Sequence, residues 1–293
     1  MRDRNVFKSS VGHDFQRLFF RLLLKSATLL ILVFLVVVSS FWAYGIRTSK
    51  PASNLCRAPK AVVDDFSGPA GAAPDPQLWS LQSGAGGSDG QLEAYTKSPR
   101  NASLDGNGNL AIVARKESFS FPGFGTFNYT SAFLSTSGHL DVCYGTVAAR
   151  IKLPTGKGLR PAFWLLGSDF AAVGWPQCGE IDVLDVAGVG GVGIHGAGGY
   201  GFFAPLPFAM GAEWHEYALD WRPDKITMSM DGHKFAYWTP ESLPAGATWT
   251  FNGHPMYMVL NMAVGGPPTF VPDSSTQFPA TMLVNWVRYT PAA

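Results

Sequence analysis

From residue 62 to the end of the chain, no stretch carries apolar residues at helical spacing. Short apolar runs recur instead, cut by turn residues that Gly 33 and Pro 21 supply in quantity. Residues 109–115, 144–152, 214–222, 225–230, 256–262 and 282–289 read as strands. Asp231-Gly232 sits between two of these apolar runs, as a tight hairpin turn into His233-Lys234-Phe235-Ala236-Tyr237. Many strands without helices predict an all-β fold, one β-sandwich over residues 62–293 rather than two domains.

The amino terminus has a different character. Residues 1–25 are basic, with Arg17, Arg21 and Lys25 on one helical face and Phe15, Leu18, Phe19 and Leu22 beside them. Residues 26–46 carry no charge, and roughly 20 apolar residues suffice to span a bilayer. Trp42 and Tyr44 lie near the end of that run, as interfacial anchors do. The expectation is a basic cytoplasmic segment at 1–25, a transmembrane helix at 26–46, a linker at 47–61 and an extracellular domain beyond. A cleaved signal peptide, cut near Ala43-Tyr44-Gly45, is the competing reading, which makes the protein secreted. The formal charge of +1 points to no nucleic-acid partner. Cys56, Cys143 and Cys178 allow one bridge and a free thiol, and the sequence does not choose the pair; Cys143–Cys178 is one option.

The chemistry concentrates in Gly179-Glu180-Ile181-Asp182-Val183-Leu184-Asp185, in a chain with only 21 Asp plus Glu. In a strand, Glu180 and Asp182 share a face while Ile181 and Val183 point into a core. Asp185 is out of step with them. One extra residue at Val183-Leu184, a β-bulge, returns it to the acidic face. Three acids along one wall push their pKa values apart, which gives a glycosidase its ionised nucleophile and its protonated acid.

Six motifs in order then resemble glycoside hydrolase family 16, especially its laminarinase-like endo-β-1,3-glucanases. They are Asp64-Asp65-Phe66; Gln91-Leu92-Glu93-Ala94-Tyr95-Thr96; Pro161-Ala162-Phe163-Trp164-Leu165-Leu166-Gly167 with Trp175-Pro176 and Gly179-Glu180-Ile181-Asp182; Ile194-His195-Gly196; Trp214-His215-Glu216-Tyr217; and Leu260-Asn261-Met262-Ala263-Val264-Gly265-Gly266. The resemblance implies a concanavalin-like jelly roll with a concave glycan cleft and a retaining β-glucan hydrolase. It implies Glu180 as nucleophile, Asp182 as the carboxylate that tunes it, and Asp185 as general acid/base. It implies sugar contacts from Trp164, Trp175, His195, Gln91, Glu93, Tyr95 and Asn261. Trp164 and Trp175 flank the acidic strand as stacking walls, with core packing as the other reading. His195 reads equally as a subsite contact or a structural histidine.

Departures from the family pattern matter. Asp185 stands where the family has Glu, one methylene shorter. Arg160 replaces a Trp, Gly90 an Asn, and Phe133 an Arg. The expectation is no cofactor and no catalytic metal; Leu219 occupies the second His position of H-E-x-x-H after His215-Glu216. Many members hold a structural calcium, and Asp65, the Gly108 carbonyl and Asn285 match its positions, with Asn285 in place of an Asp. A cell-wall transglycosylase with the same site, or a β-glucan-binding protein whose catalysis has decayed, are the alternative functions. The Asn101 and Asn128 sequons read as ordinary loop residues.

Overall fold

The computed structural model describes Cys56 and residues 60–86, 90–207, 212–266 and 270–292. The expected basic segment and membrane anchor lie outside these residues. Among the described residues, no helix is long and apolar enough to cross a membrane.

Among the described residues, eighteen strands follow one another. The first eight are β1 (Val62–Asp64), β2 (Ser80–Gln82), β3 (Gly84–Ala85), β4 (Glu93–Tyr95), β5 (Ala102–Leu104), β6 (Leu110–Phe121), β7 (Gly125–Ser131) and β8 (Phe133–Ser135). After them come β9 (Gly145–Lys152), β10 (Leu159–Gly167), the four-residue helix α1 (Phe170–Val173), β11 (Glu180–Ala187), β12 (Val189–Gly196) and β13 (Tyr200–Pro205). The last five are β14 (Trp214–Arg222), β15 (Lys225–Met230), β16 (His233–Trp238), β17 (Met256–Val264) and β18 (Ala280–Thr290).

They form two sheets. One runs β16-β15-β14-β9-β18-β6-β7-β4-β3, with β1 added on β18 and β5 on β6. The other runs β13-β12-β11-β10-β17-β8-β2. The apolar faces of both contribute to one core. Ile181, Val183 and Leu184 of β11 and Phe163 and Leu165 of β10 belong to the same cluster as Leu219 and Trp221 of β14. Trp221 is fully buried and donates its Nε1–H to the Phe251 carbonyl at 3.1 Å, so its one polar atom is satisfied.

The turn chemistry works as the sequence requires. Met230 pairs with His233, and Asp231 and Gly232 between them take φ of 51° and 76°, the left-handed values of a two-residue hairpin. Of the two sequon residues, Asn101 lies in a turn as expected, and Asn128 does not lie in a loop. Asn101 is 1% exposed and bonds Thr96, Thr130 and the Val113 carbonyl, so it is closed to a glycan, and Asn128 lies within β7.

The pairing that the sequence left open is Cys56–Cys143, 87 positions apart, and Cys178 is the buried free thiol, so the Cys143–Cys178 option does not hold. The bridge ties the linker to the domain. Cys56→Ser is expected to lower unfolding free energy by about 2–4 kcal/mol. Chemical denaturation under non-reducing conditions checks this, and an unchanged midpoint argues against the bond.

Candidate active site

The site lies on the outer face of the seven-stranded sheet, across β10, β11, β12 and β17. Register places it. Trp164 pairs with Asp182, but Phe163 pairs with Leu184, leaving Val183 without a partner on β10. The opposite pairing slips at the same place, between Asp182 and Asp185. Val183 is therefore the extra residue of a β-bulge, and Val183 and Leu184 both enter the core. Asp185 returns to the side of Glu180 and Asp182. All three carboxylates interact electrostatically.

Each acid has a different environment. Asp182, 7% exposed, faces His195 on β12, whose Nε2 is 3.4 Å from Asp182 Oδ2 and 4.0 Å from Glu180 Oε1. Asp185 lies in a fork: Arg160 Nε donates to Oδ1 at 2.8 Å and Nη2 to Oδ2 at 2.7 Å. The Trp175 side chain favours the ionised form of Glu180. Burial first, then the Asp182 and Asp185 charges, push Glu180 well above the usual carboxylate range. Burial also raises Asp182, against the hydrogen bond from His195. His195 is raised in turn, chiefly by that bond to Asp182.

Two glycines make room for this arrangement. A Cβ at Gly193, opposite Asp182, would stand 2.8 Å from the Phe202 carbonyl and 3.0 Å from Asp182 Oδ2. One at Gly201 would meet His195 Nδ1 at 2.7 Å. Larger residues would displace the acid or the imidazole.

The aromatic walls differ from each other. Trp175 is 53% exposed, with its ring 5.8 Å from the His195 ring. Trp164 is half-buried and fixed: its Nε1–H donates to Asn261 Oδ1 at 2.8 Å, and Phe133 meets it edge-on at 6.0 Å. Asn261 donates to the Tyr95 hydroxyl oxygen at 3.0 Å. Tyr95 and Asn261 are each 7% exposed, so they support Trp164. Gln91 is half-buried and bridges Gly265. Direct sugar contact does not hold for Glu93. It is 0% exposed, accepts the Val264 N–H at 2.7 Å, and burial raises its pKa.

Sequence reasoning noted Arg160 as a departure but did not join it to Asp185. Only the register joins them: Ala162 pairs with Asp185, and Arg160 shares Ala162's face of β10.

Ligand atoms of Glu180, Asp182 and His195 lie within 4.8 Å of one another, close enough for a divalent cation. Of these atoms, His195 Nε2 already faces Asp182 Oδ2 at 3.4 Å. The calcium positions fit a cation poorly. Asn285 Nδ2 donates to the Gly108 carbonyl at 3.0 Å, and the Arg150 guanidinium donates to Asn285 Oδ1 at 3.2 Å. A guanidinium and an amide N–H stand where acceptors are required. His215, on β14, pairs with Asp231 at 2.7 Å.

Glu180, Asp182 and His195 all hold protons more tightly when folded. Their contribution to stability is greatest at acid pH and is lost as pH rises through the folded values. Glu180→Gln removes a buried charge, so it is expected to raise the melting temperature at pH 7, with the gap closing near pH 4. A variant that melts below the native protein at pH 7 contradicts this account.

The sequence model for glycosyl hydrolases family 16 matches residues 92–288. A beta-glucanase of Rhodothermus marinus is 30% identical over 246 residues, 76% of this chain and 81% of that protein. A glucan endo-1,3-beta-glucosidase A1 of Niallia circulans is 33% identical over 236 residues, 73% of this chain; the match spans only 33% of that longer protein. The solved endo-beta-1,3-glucanase of Pyrococcus furiosus superposes with TM-score 0.71 at 38% identity, covering 79% of this chain and 94% of that one.

Proposed function

Since the chain belongs to glycosyl hydrolases family 16, in its laminarinase-like branch, we propose that it is a membrane-anchored extracellular retaining β-glucan hydrolase, endo-acting on β-1,3 linkages. The observation that carries the reading is the bulge at Val183, which sets Glu180, Asp182 and Asp185 on one outer face beside an exposed Trp175.

The chemistry is a double displacement. A Glu180 oxygen bonds to the anomeric carbon as the bond to the leaving sugar breaks, and Asp185 passes its proton to the leaving oxygen. Water then attacks the same carbon, the bond to Glu180 breaks, and Asp185 takes the water proton. The Asp182 charge raises the basicity of Glu180, and His195, 4.0 Å from Glu180 and 3.4 Å from Asp182, lies between the two acids. The raised Glu180 means that the nucleophile becomes ionised only above the usual carboxylate range, near 4.3. The acid limb of the rate profile is expected above that value.

A disulfide at Cys56 fits an oxidising compartment and thus an external domain. A transglycosylase differs only in the acceptor, sugar in place of water. A decayed glucan binder is the reading that Asp185 keeps open.

The test is the purified full chain with laminarin and a panel of other β-glucans, scoring reducing ends and product sizes. Laminarin cleavage is expected. Glu180→Gln is expected to abolish sugar release while binding persists. Asp185→Asn is expected to lower turnover by about 10²–10⁴-fold. If Glu180→Gln leaves product release unaltered, Glu180 is not the nucleophile; if the native chain binds glucan and releases nothing, the binder reading holds.

A further inference from the structure

The fork on Asp185 bears on which bonds the site can break. Arg160 lies two residues before Ala162, the cross-strand partner of Asp185, so the guanidinium meets the carboxylate side-on. Both carboxylate oxygens are engaged, at 2.8 and 2.7 Å, and both side chains are about four-fifths buried, at 21% and 19% exposure. Arginine has five donors and no acceptor, and it does not give up its proton. In the proposed mechanism Asp185 does two jobs. To protonate a leaving sugar it must carry a hydrogen on one oxygen, which makes that oxygen a much weaker acceptor for its arm of the fork. To take a proton from water it starts as the acceptor that the fork holds, and the arm loosens as the proton arrives.

We propose that Arg160 is a specificity-determining residue: by engaging both oxygens of Asp185 it makes the first bond-breaking step depend steeply on the leaving group, whereas the second step, which frees the same glycosyl group from Glu180, is common to every leaving group. This rests on the hydrolytic reading of the site. A sugar leaves only with a proton, so its departure waits for one arm of the fork to open. A dinitrophenolate leaves as a stable anion. Then the Glu180 oxygen bonds to the anomeric carbon, the bond to the phenolate oxygen breaks with its electron pair, and no proton moves. Water next displaces Glu180, and its proton goes to Asp185 and on to solvent. The same guanidinium acts on the nucleophile, because its positive charge opposes the rise of Glu180 and of Asp182.

The experiment uses the full chain with a laminari-oligosaccharide and the dinitrophenyl β-glycoside of the same glycone. Native protein, Arg160→Gln and Arg160→Lys are compared, with folding checked by melting and tryptophan fluorescence. Lysine keeps the charge but cannot make a fork, and it stands in if the glutamine variant does not fold. The native protein is expected to favour the aryl glycoside and to give a burst of dinitrophenolate. In both variants the aryl-to-sugar ratio of kcat/KM is expected to fall by about tenfold or more, within the range that general acid help commands. The acid limb is expected to move upward in Arg160→Gln and less in Arg160→Lys. A ratio unchanged in folded variants overturns the proposal, as does a parallel loss on both substrates, which marks Arg160 as merely structural. If native protein releases product from neither substrate, the hydrolytic reading fails, and the proposal with it. Cleavage of both substrates with an unaltered ratio defeats the proposal alone.

Discussion

One unpaired residue, Val183, is the constraint on which the site depends. A regular β11 would alternate through Glu180, Asp182 and Leu184 on the outer face and carry Asp185 into the core beside Phe163 and Leu165. A lone carboxylate there would have to be neutralised or to drag in a partner. The bulge avoids this by sending two consecutive apolar residues, Val183 and Leu184, inward, and both are essentially sealed from solvent. The core gains an extra aliphatic group, and the outer face gains its third acid. The same slip appears in the pairing to β10 and in the pairing to β12, so it belongs to β11 itself.

Crowding three acids creates the second requirement, a division of counter-charges. Arg160 takes Asp185, at the start of β10, and His195 takes Asp182, from β12. Glu180 is left with a 4.0 Å approach to His195 and with burial, and it is the acid whose pKa rises most clearly. Strand order decides this assignment, because β10 and β12 flank β11 and each brings one cation. The small residues at 193 and 201 then matter as much as the charged ones, since they set how near the imidazole and the carboxylate may stand.

How much of this the sequence disclosed follows from the range of each interaction. The hairpin at Asp231-Gly232 and the strands around it were legible because turn chemistry and alternation are local. The bulge was legible too, since Glu180, Asp182 and Asp185 can share a face only with one residue added. The Cys56–Cys143 bridge was not, because it joins positions 87 apart whose proximity only the finished fold decides. The burial of Glu93 was hidden for a related reason. It lies on β4, in the larger sheet, yet its partner is the Val264 amide of β17 in the smaller one, and no pattern within either strand announces that meeting. Its neighbours Tyr95 and Asn261 are joined to Trp164 by a chain of hydrogen bonds that the one-dimensional pattern does not show.

Arg160 and Asp185 show what such cross-strand coupling does to chemistry. Considered singly, an aspartate in place of glutamate shortens a proton donor, and an arginine in place of tryptophan removes a flat apolar wall. Considered together, they are one object. The shorter acid cannot range as freely as a glutamate, and the guanidinium removes what freedom it has by holding both oxygens at once. An arginine facing a longer carboxylate at the same register would have to meet it at a different height above the sheet, and a tryptophan beside Asp185 would leave a buried carboxylate among Asp182 and Glu180 with no cation on its own side. Each departure therefore makes physical sense only with the other present. The pair balances charge in a crowded wall, and the same balance sets the terms on which that wall can give up a proton.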